Sequence, residues 1–145
     1  MTFSCNGRSG YETFDHTADV GLAVRGTDLP DLFVQAVIGL AATMFGAASV
    51  APRQARPVRV EGEGDEALLV AWLEEVLFAF EVDGFLTAAV RLDALADGAA
   101  TGALLGELYD PDRHELGAHV KAVTWHDLAI RRLANHYEVR VVFDV

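Results

Sequence analysis

The chain has 145 residues, of which 52% are hydrophobic, and its formal net charge at pH 7 is −11. This length fits one compact domain, and this apolar content is enough to fill a core. A protein that binds RNA through phosphates needs a basic surface, so the charge argues against strong direct nucleic-acid binding. It favours solubility, cation binding or docking to a basic partner.

The sequence lacks the marks of membrane and exported proteins. No apolar run approaches the roughly 20 residues of a membrane span, and the first residues lack the regions of a secretion signal. The single cysteine, Cys5, cannot form an internal disulfide. We therefore expect a cytoplasmic protein with no membrane association.

The pattern of the first half predicts two strands and two helices after a flexible leader at 1–10. Short strands are expected at 11–15 and 20–25, where apolar residues alternate with others. Asp28 can cap a first helix that ends at Gly46. Asp65 can cap a second, which ends at Gly84 and has the apolar stripe Leu68, Leu69, Trp72, Leu73, Val76, Leu77 and Phe80.

The second half reads mainly as strands. Residues 47–57 are predicted to be a loop, and strands are predicted at 58–62, 85–95, 103–109, 120–132 and 137–145. Two helices among about seven strands in hairpin order indicate an α+β single domain. Its helices would cover one face of a largely antiparallel sheet. This domain is predicted to span 11–145.

A polar turn between the first two strands contains two carboxylates and an imidazole. Asp15, His16 and Asp19 offer hard oxygen and nitrogen ligands within five residues. Asp and Thr also cap backbone groups in turns, so a purely structural role is the alternative.

The end of the chain offers two more negative groups. The side chain of Asp144 lies one residue before the α-carboxylate of Val145, and such groups repel unless a cation or a basic group lies between them. An ordinary solvated terminus is the alternative. The apolar strand that precedes it argues for a packed and placed terminus.

Other polar features are less specific. Residues 109–115 are predicted to form a polar turn with surface polar contacts, and they contain no nucleophilic triad. His114, His119 and His126 lack the spacing of a helical zinc motif. Lys121 begins a mostly apolar run, where it either extends its amine to solvent or neutralises the carboxylates. We expect Trp72 to be core.

Five segments in order resemble the archease family. Residues 15–21 resemble its motif H-T-A-D-[VI]-G, and 69–77 resemble L-x-x-W-L-N-E-L-L, with Glu74 where the family often has Asn. Residues 106–114 resemble G-E-x-[YF]-D-x-x-R-H, 120–126 resemble V-K-A-[VI]-T-Y-H, and 140–145 resemble R-V-I-[FL]-D-[IV]. Any one of these motifs is weak, whereas five in order are specific.

The resemblance implies a function and a site. Archeases have an α+β fold and act as protein cofactors of the RtcB-type RNA ligase. That ligase uses GTP and Mn²⁺ to join a 3′-phosphate or 2′,3′-cyclic phosphate to a 5′-hydroxyl. The resemblance implies faster ligase guanylylation and multiple turnover, with no catalytic residue on this chain itself. It also implies a metal site at Asp19, Asp144 and Val145, supported by His16 and Lys121, with Ca²⁺ favoured over Mg²⁺ or Mn²⁺.

Two alternatives to ligase activation remain. An older interpretation of the family is a chaperone for a tRNA cytosine methyltransferase. A metal-dependent hydrolase would use Asp19 and Asp144 as ligands and His16 as base. The hydrolase lacks a recognisable substrate pocket in the sequence, and turnover of phosphoesters by the purified protein would reveal it.

Overall fold

The structure is a computed structural model that describes residues 9–16, 19–46 and 49–145, with Asp15 and His16 described in their backbone only. The predicted leader lies mostly outside the described residues, and the first strand begins at Gly10. The strands in chain order are β1 (Gly10–His16), β2 (Asp19–Gly26), β3 (Gln54–Glu61), β4 (Phe85–Ala96), β5 (Ala99–Leu108), β6 (Ala122–Val123), β7 (Arg131–Arg132) and β8 (Tyr137–Asp144).

The first helix, α1 (Leu29–Phe45), begins and ends where the sequence predicts. The Asp28 carboxylate accepts a hydrogen bond of 2.8 Å from the amide of Asp31, which satisfies a donor of the first turn. At the other end Gly46 adopts a φ of 41°, and its amide donates to the carbonyl of Ala42 at 2.8 Å. Both predicted caps of α1 are therefore confirmed.

The second helix, α2 (Asp65–Asp83), differs from the prediction at its start. Gly64 occupies the N-cap position without a side-chain hydrogen bond, so the prediction that Asp65 caps this helix is wrong. Asp65 is instead the first helical residue, where a carboxylate interacts favourably with the helix dipole. Gly84 ends α2 in the left-handed conformation with a φ of 65°, as predicted.

The strands form two antiparallel sheets. One has the order β1-β2-β8-β6, with β7 also paired to β8, and the other has the order β3-β5-β4. The antiparallel α+β fold is confirmed, but there are two sheets where the sequence indicated one. Helix α1 packs against both β2 and β4 and so links the sheets. Trp72 of α2 is 1% exposed, which confirms its place in the core.

Two strands begin before their predicted start, and the first of them, β3, begins inside the predicted loop 47–57. β3 begins at Gln54, because Pro57 is tolerated in an edge strand. β5 begins at Ala99 and not at 103, because Asp97 and Gly98 have positive φ and close a two-residue hairpin turn.

The predicted strand at 120–132 is mostly irregular. Only β6 and β7, of two residues each, pair with β8. Leu128 and Ile130 still pack against the core, which accounts for the apolar alternation there. The amide of Ile130 donates to the Glu66 carboxylate at 3.0 Å, a side-chain acceptor in place of a strand partner.

No helix in the described part of the chain is long and apolar enough to cross a membrane.

Candidate functional site

The end of the five-stranded sheet brings together the two aspartates that the sequence singled out. β2 pairs with β8 in a register that aligns Val20 with Phe143, so one further step brings Asp19 level with Asp144. Residues opposite each other on antiparallel strands point to the same face, with Cβ atoms about 4.5–5.5 Å apart. Residues separated by 125 positions in the chain therefore become neighbours.

Lys121 lies on the other side of the same strand end. Ala122 of β6 pairs with Asp144, and the amide of Lys121 donates to the Asp144 carbonyl at 2.7 Å. The Lys121 side chain is exposed, as are Asp144 and Val145, whereas Asp19 is half-buried. The end of β8 thus has two carboxylates, those of Asp19 and Asp144, and Lys121 immediately precedes Ala122, the residue of β6 that pairs with Asp144.

His16 is placed only in part. Its backbone pairs with Asp19 across the turn between β1 and β2. Its side chain, and all of residues 17–18, lie outside the described residues. The role predicted for the imidazole therefore stays a prediction.

The donors at this strand end fit a hard divalent cation. Paired carboxylates on one sheet face can converge on one ion, because calcium–oxygen bonds are about 2.3–2.6 Å long. Within the part of the chain that is described, no three His, Cys, Asp or Glu residues form a metal-binding group. Asp19 and Asp144 are two such residues, the third predicted ligand is the carboxylate of Val145, and the side chain of His16, predicted to support them, lies outside the described residues. That ligand set stays a prediction.

Glu107, near the end of β5, is the centre of a buried polar cluster. It is 5% exposed and accepts two hydrogen bonds from the Arg113 guanidinium, at 2.9 and 3.0 Å. It also accepts from the amide of Ala51 at 2.7 Å. These hydrogen bonds, of which those from Arg113 have the largest effect, hold the pKa of Glu107 well below its usual range. The cluster ties the segment before β3 to the turn after β5.

His114 completes the cluster as a neutral imidazole. Its Nδ1 accepts a hydrogen bond of 2.9 Å from the Asp110 amide, so Nε2 carries the proton. Nε2 then donates to the Glu107 carboxylate at 3.1 Å. The sequence correctly predicted a turn here, but it assigned these side chains to surface contacts. The buried Glu107 was missed, although the G-E and R-H pairs of the motif resemblance carried the signal.

A separate groove of about 480 Å³ lies on the sheet face opposite the helices. Its charges pair with each other: Arg25 and Arg131 approach Glu138 at 3.7 and 3.4 Å. Neither Asp19 nor Asp144 lines it. The carboxylates at the strand end are thus outside this groove.

The sequence profile of the Archease protein family matches residues 11–145. The chain is 32% identical to a protein archease of Pyrobaculum neutrophilum, over 98% of this chain and 99% of that one. It is 36% identical to a protein archease of Thermococcus kodakarensis, over 85% of this chain and 89% of that one. These matches confirm the resemblance found in the sequence motifs.

Solved structures agree with the sequence matches. The solution structure of Methanobacterium thermoautotrophicum protein 1598 aligns with a TM-score of 0.80 and 30% identity, over 93% of this chain and 98% of that one. The crystal structure of an archease described as a possible chaperone, from Thermotoga maritima, aligns with a TM-score of 0.64. It is 16% identical and covers 92% of this chain and 96% of that one, so it supports the fold alone. The chain belongs to the archease family.

Proposed function

We propose that this protein is a non-enzymatic activator of an RtcB-type RNA ligase. It speeds guanylylation of the ligase and allows multiple turnovers in tRNA splicing and RNA repair. Membership of the archease family supports this function. The observation that carries it is the register that brings Asp19 level with Asp144 at an exposed strand end.

Asp19, Asp144 and the carboxylate of Val145 would hold a divalent cation, with Ca²⁺ favoured. All three are hard oxygen donors, and Asp144 and Val145 are exposed enough to reach a partner. The cation would supply positive charge near the ligase nucleotide and its metal. Lys121, whose amide is bonded to the Asp144 carbonyl, would place a second positive group beside the carboxylates.

The residues of this chain act by position and charge and form no covalent intermediate. Asp19 and Asp144 lie on paired strands, so the distance between their backbones is set before the ligase binds. Because the pair is already ordered, little conformational entropy is lost when the protein docks. Docking then biases the arrangement of nucleotide and metal in the ligase toward guanylyl transfer.

A ligase guanylylation assay with GTP and Mn²⁺ tests the proposal. The wild-type protein should raise the rate, and Asp19→Asn or Asp144→Asn should return it to the unassisted rate. Glu63→Gln is the matched control, since it also removes one exposed negative charge and lies away from the strand end. Full stimulation by both Asp variants would refute a role for this strand end.

The same preparation separates the two rival functions. Release of phosphate from model phosphoesters by the protein alone would favour a metal-dependent hydrolase. If the wild-type protein leaves ligase guanylylation unchanged, ligase activation is wrong and the methyltransferase-chaperone alternative becomes the one to assay.

A further inference from the structure

Arg140 and the strand-end carboxylates lie on one face of the five-stranded sheet. Residues two apart on a strand point to the same side, so Arg140 shares a face with Asp144 and with Asp19, its neighbour on β2. Val141 and Phe143 point the other way, into the core, where both are 0% exposed. The three charged side chains are therefore on the outer face of the sheet, opposite the helices.

Phe14 of β1 determines where the Arg140 guanidinium lies. The Phe14 ring covers Gly21 of β2, because a Cβ added to that glycine would overlap the ring. The Arg140 Cζ lies 4.0 Å from the centroid of this ring, which is a cation–π contact. Gly21 is two residues from Asp19 on the same strand, so the guanidinium lies about 7 Å along the sheet from the carboxylate pair.

The charge of Arg140 has no direct partner among the described carboxylates. The carboxylates that line the groove with it are those of Glu12, Asp127 and Glu138. Glu138 lies instead against Arg25 and Arg131, at 3.7 and 3.4 Å. Asp127 lies against the imidazole of His126 at 3.1 Å. Among the side chains that the structure describes, no carboxylate oxygen lies within ion-pair distance of the Arg140 guanidinium, so its charge acts on the nearby part of the face.

We propose that Arg140 is a fixed positive charge of the strand-end site and lowers the affinity of that site for a divalent cation. A guanidinium stays protonated at physiological pH, and the contact with Phe14 holds it near the carboxylates. It therefore repels a cation that enters between Asp19 and Asp144. The inference rests on the proposed function for the position of that cation.

This charge makes the site suitable for a cation that exchanges. Asp19, Asp144 and the α-carboxylate of Val145 are three negative groups, and such a set alone favours tight binding, because calcium affinity depends on the charge of the ligands. Arg140 offsets part of that charge without occupying a ligand position. It also reduces the mutual repulsion of the carboxylates when no cation is bound.

Calorimetric titration of the protein with Ca²⁺, without the ligase, measures the effect. Arg140→Gln should lower the Kd for Ca²⁺ by about five- to tenfold at low salt. Coulomb's law gives this size for a single and a double positive charge about 7 Å apart in a water-like dielectric. The difference should fall below about twofold near 1 M NaCl, where the Debye length is about 3 Å. Arg140→Lys keeps the charge and should bind Ca²⁺ more like wild type.

Two further variants separate the positioned charge from the net charge. Arg59→Gln removes an exposed guanidinium of β3, in the other sheet, so it should change the Kd for Ca²⁺ by less than about twofold. Phe14→Leu keeps the charge of Arg140 and removes the ring that holds it. Its Kd should lie between those of wild type and Arg140→Gln. Circular dichroism establishes that each variant is folded.

Three results would overturn the inference. The first is an equal or higher Kd for Ca²⁺ in folded Arg140→Gln, and the second is an equal fall in Kd for Arg59→Gln. The third is an absence of Ca²⁺ binding by both wild type and Arg140→Gln up to about 10 mM, above the range of weak calcium modules.

The proposed function fails or holds by a different measurement. If the wild type stimulates ligase guanylylation and Arg140→Gln binds Ca²⁺ as wild type does, only the inference about Arg140 is wrong. If Arg140→Gln binds Ca²⁺ more tightly and the wild type leaves guanylylation unchanged, only ligase activation is wrong.

Discussion

Truncation of Trp72 tests whether α2 is anchored as the structure indicates. The indole is 1% exposed, and its ring lies 6.5 Å from that of Phe33, centroid to centroid. Its Nε1–H donates to the carbonyl of Phe33 at 3.2 Å, which ties α2 to α1. Trp72→Ala removes both the packing and this hydrogen bond.

The expected loss of stability is large for a domain of this size. Removing a buried tryptophan side chain costs about 3–5 kcal/mol of the free energy of unfolding. In a chain of this length each kcal/mol shifts Tm by about 2–4 °C. We therefore expect Trp72→Ala to lower Tm by about 6–20 °C. The lost free energy is a substantial part of the roughly 5–15 kcal/mol that stabilises a typical domain.

Thermal unfolding followed by circular dichroism measures the effect, with two variants for comparison. Trp72→Phe keeps most of the ring and loses the N–H donor, so it should cost about 1–2 kcal/mol. Phe78→Ala removes an aromatic ring from the exposed side of the same helix and should stay within about 0.5 kcal/mol of wild type. A Tm for Trp72→Ala within about 2 °C of wild type would refute the reasoning.

Three further predictions concern charge and close packing. Arg113 and the other donors lower the folded-state pKa of Glu107, so the ionised carboxylate stabilises the fold above its ordinary pKa of 4.5, and this stabilisation is lost as pH falls below that value. Between about pH 5 and pH 3 the Tm of wild type should therefore fall more steeply than the Tm of Glu107→Gln. Parallel curves of Tm against pH would contradict this. Gly102→Ala should cost about 1–3 kcal/mol or more in urea unfolding, because a Cβ there overlaps the Arg91 carbonyl oxygen across the β4–β5 pair. Asp144 is exposed, so Asp144→Asn should leave the Tm of the cation-free protein nearly unchanged. The same substitution should abolish any rise in Tm on adding Ca²⁺. A Ca²⁺-dependent rise in Tm equal to that of wild type would exclude Asp144 as a ligand.

Local signals in the sequence predicted both helices and all of their caps except the N-cap of α2. The confirmed caps are those of Asp28, Gly46 and Gly84. Each acts through hydrogen bonds and backbone angles within a few residues, so its effect can be predicted from the local sequence alone. The apolar alternation of 137–145 likewise predicted β8. The prediction of a strand at 120–132 was wrong, because apolar alternation indicates burial on one side and says nothing of whether a strand partner is present. There, Glu66 rather than a neighbouring strand satisfies the amide of Ile130.

The candidate site depended on information that no local pattern contains. Asp19 and Asp144 each looked like a ligand, but only the β2–β8 register makes them neighbours. The motif resemblance anticipated this grouping, and spacing along the chain could not. The motif resemblance also contained Glu107, Arg113 and His114, but a glutamate in an apolar strand gives no sign that Ala51, 56 residues earlier, will bond to it.

The order of strands in the five-stranded sheet has a consequence for synthesis on the ribosome. β8 lies between β2 and β6, yet it is translated long after β2 and α1 have emerged. The β4–β5 hairpin can form as soon as its own residues appear, because its turn is local. Until β8 arrives, β2 keeps an edge of unpaired backbone groups that another nascent chain could pair with. A stalled or truncated product should therefore be more prone to aggregate than the finished chain.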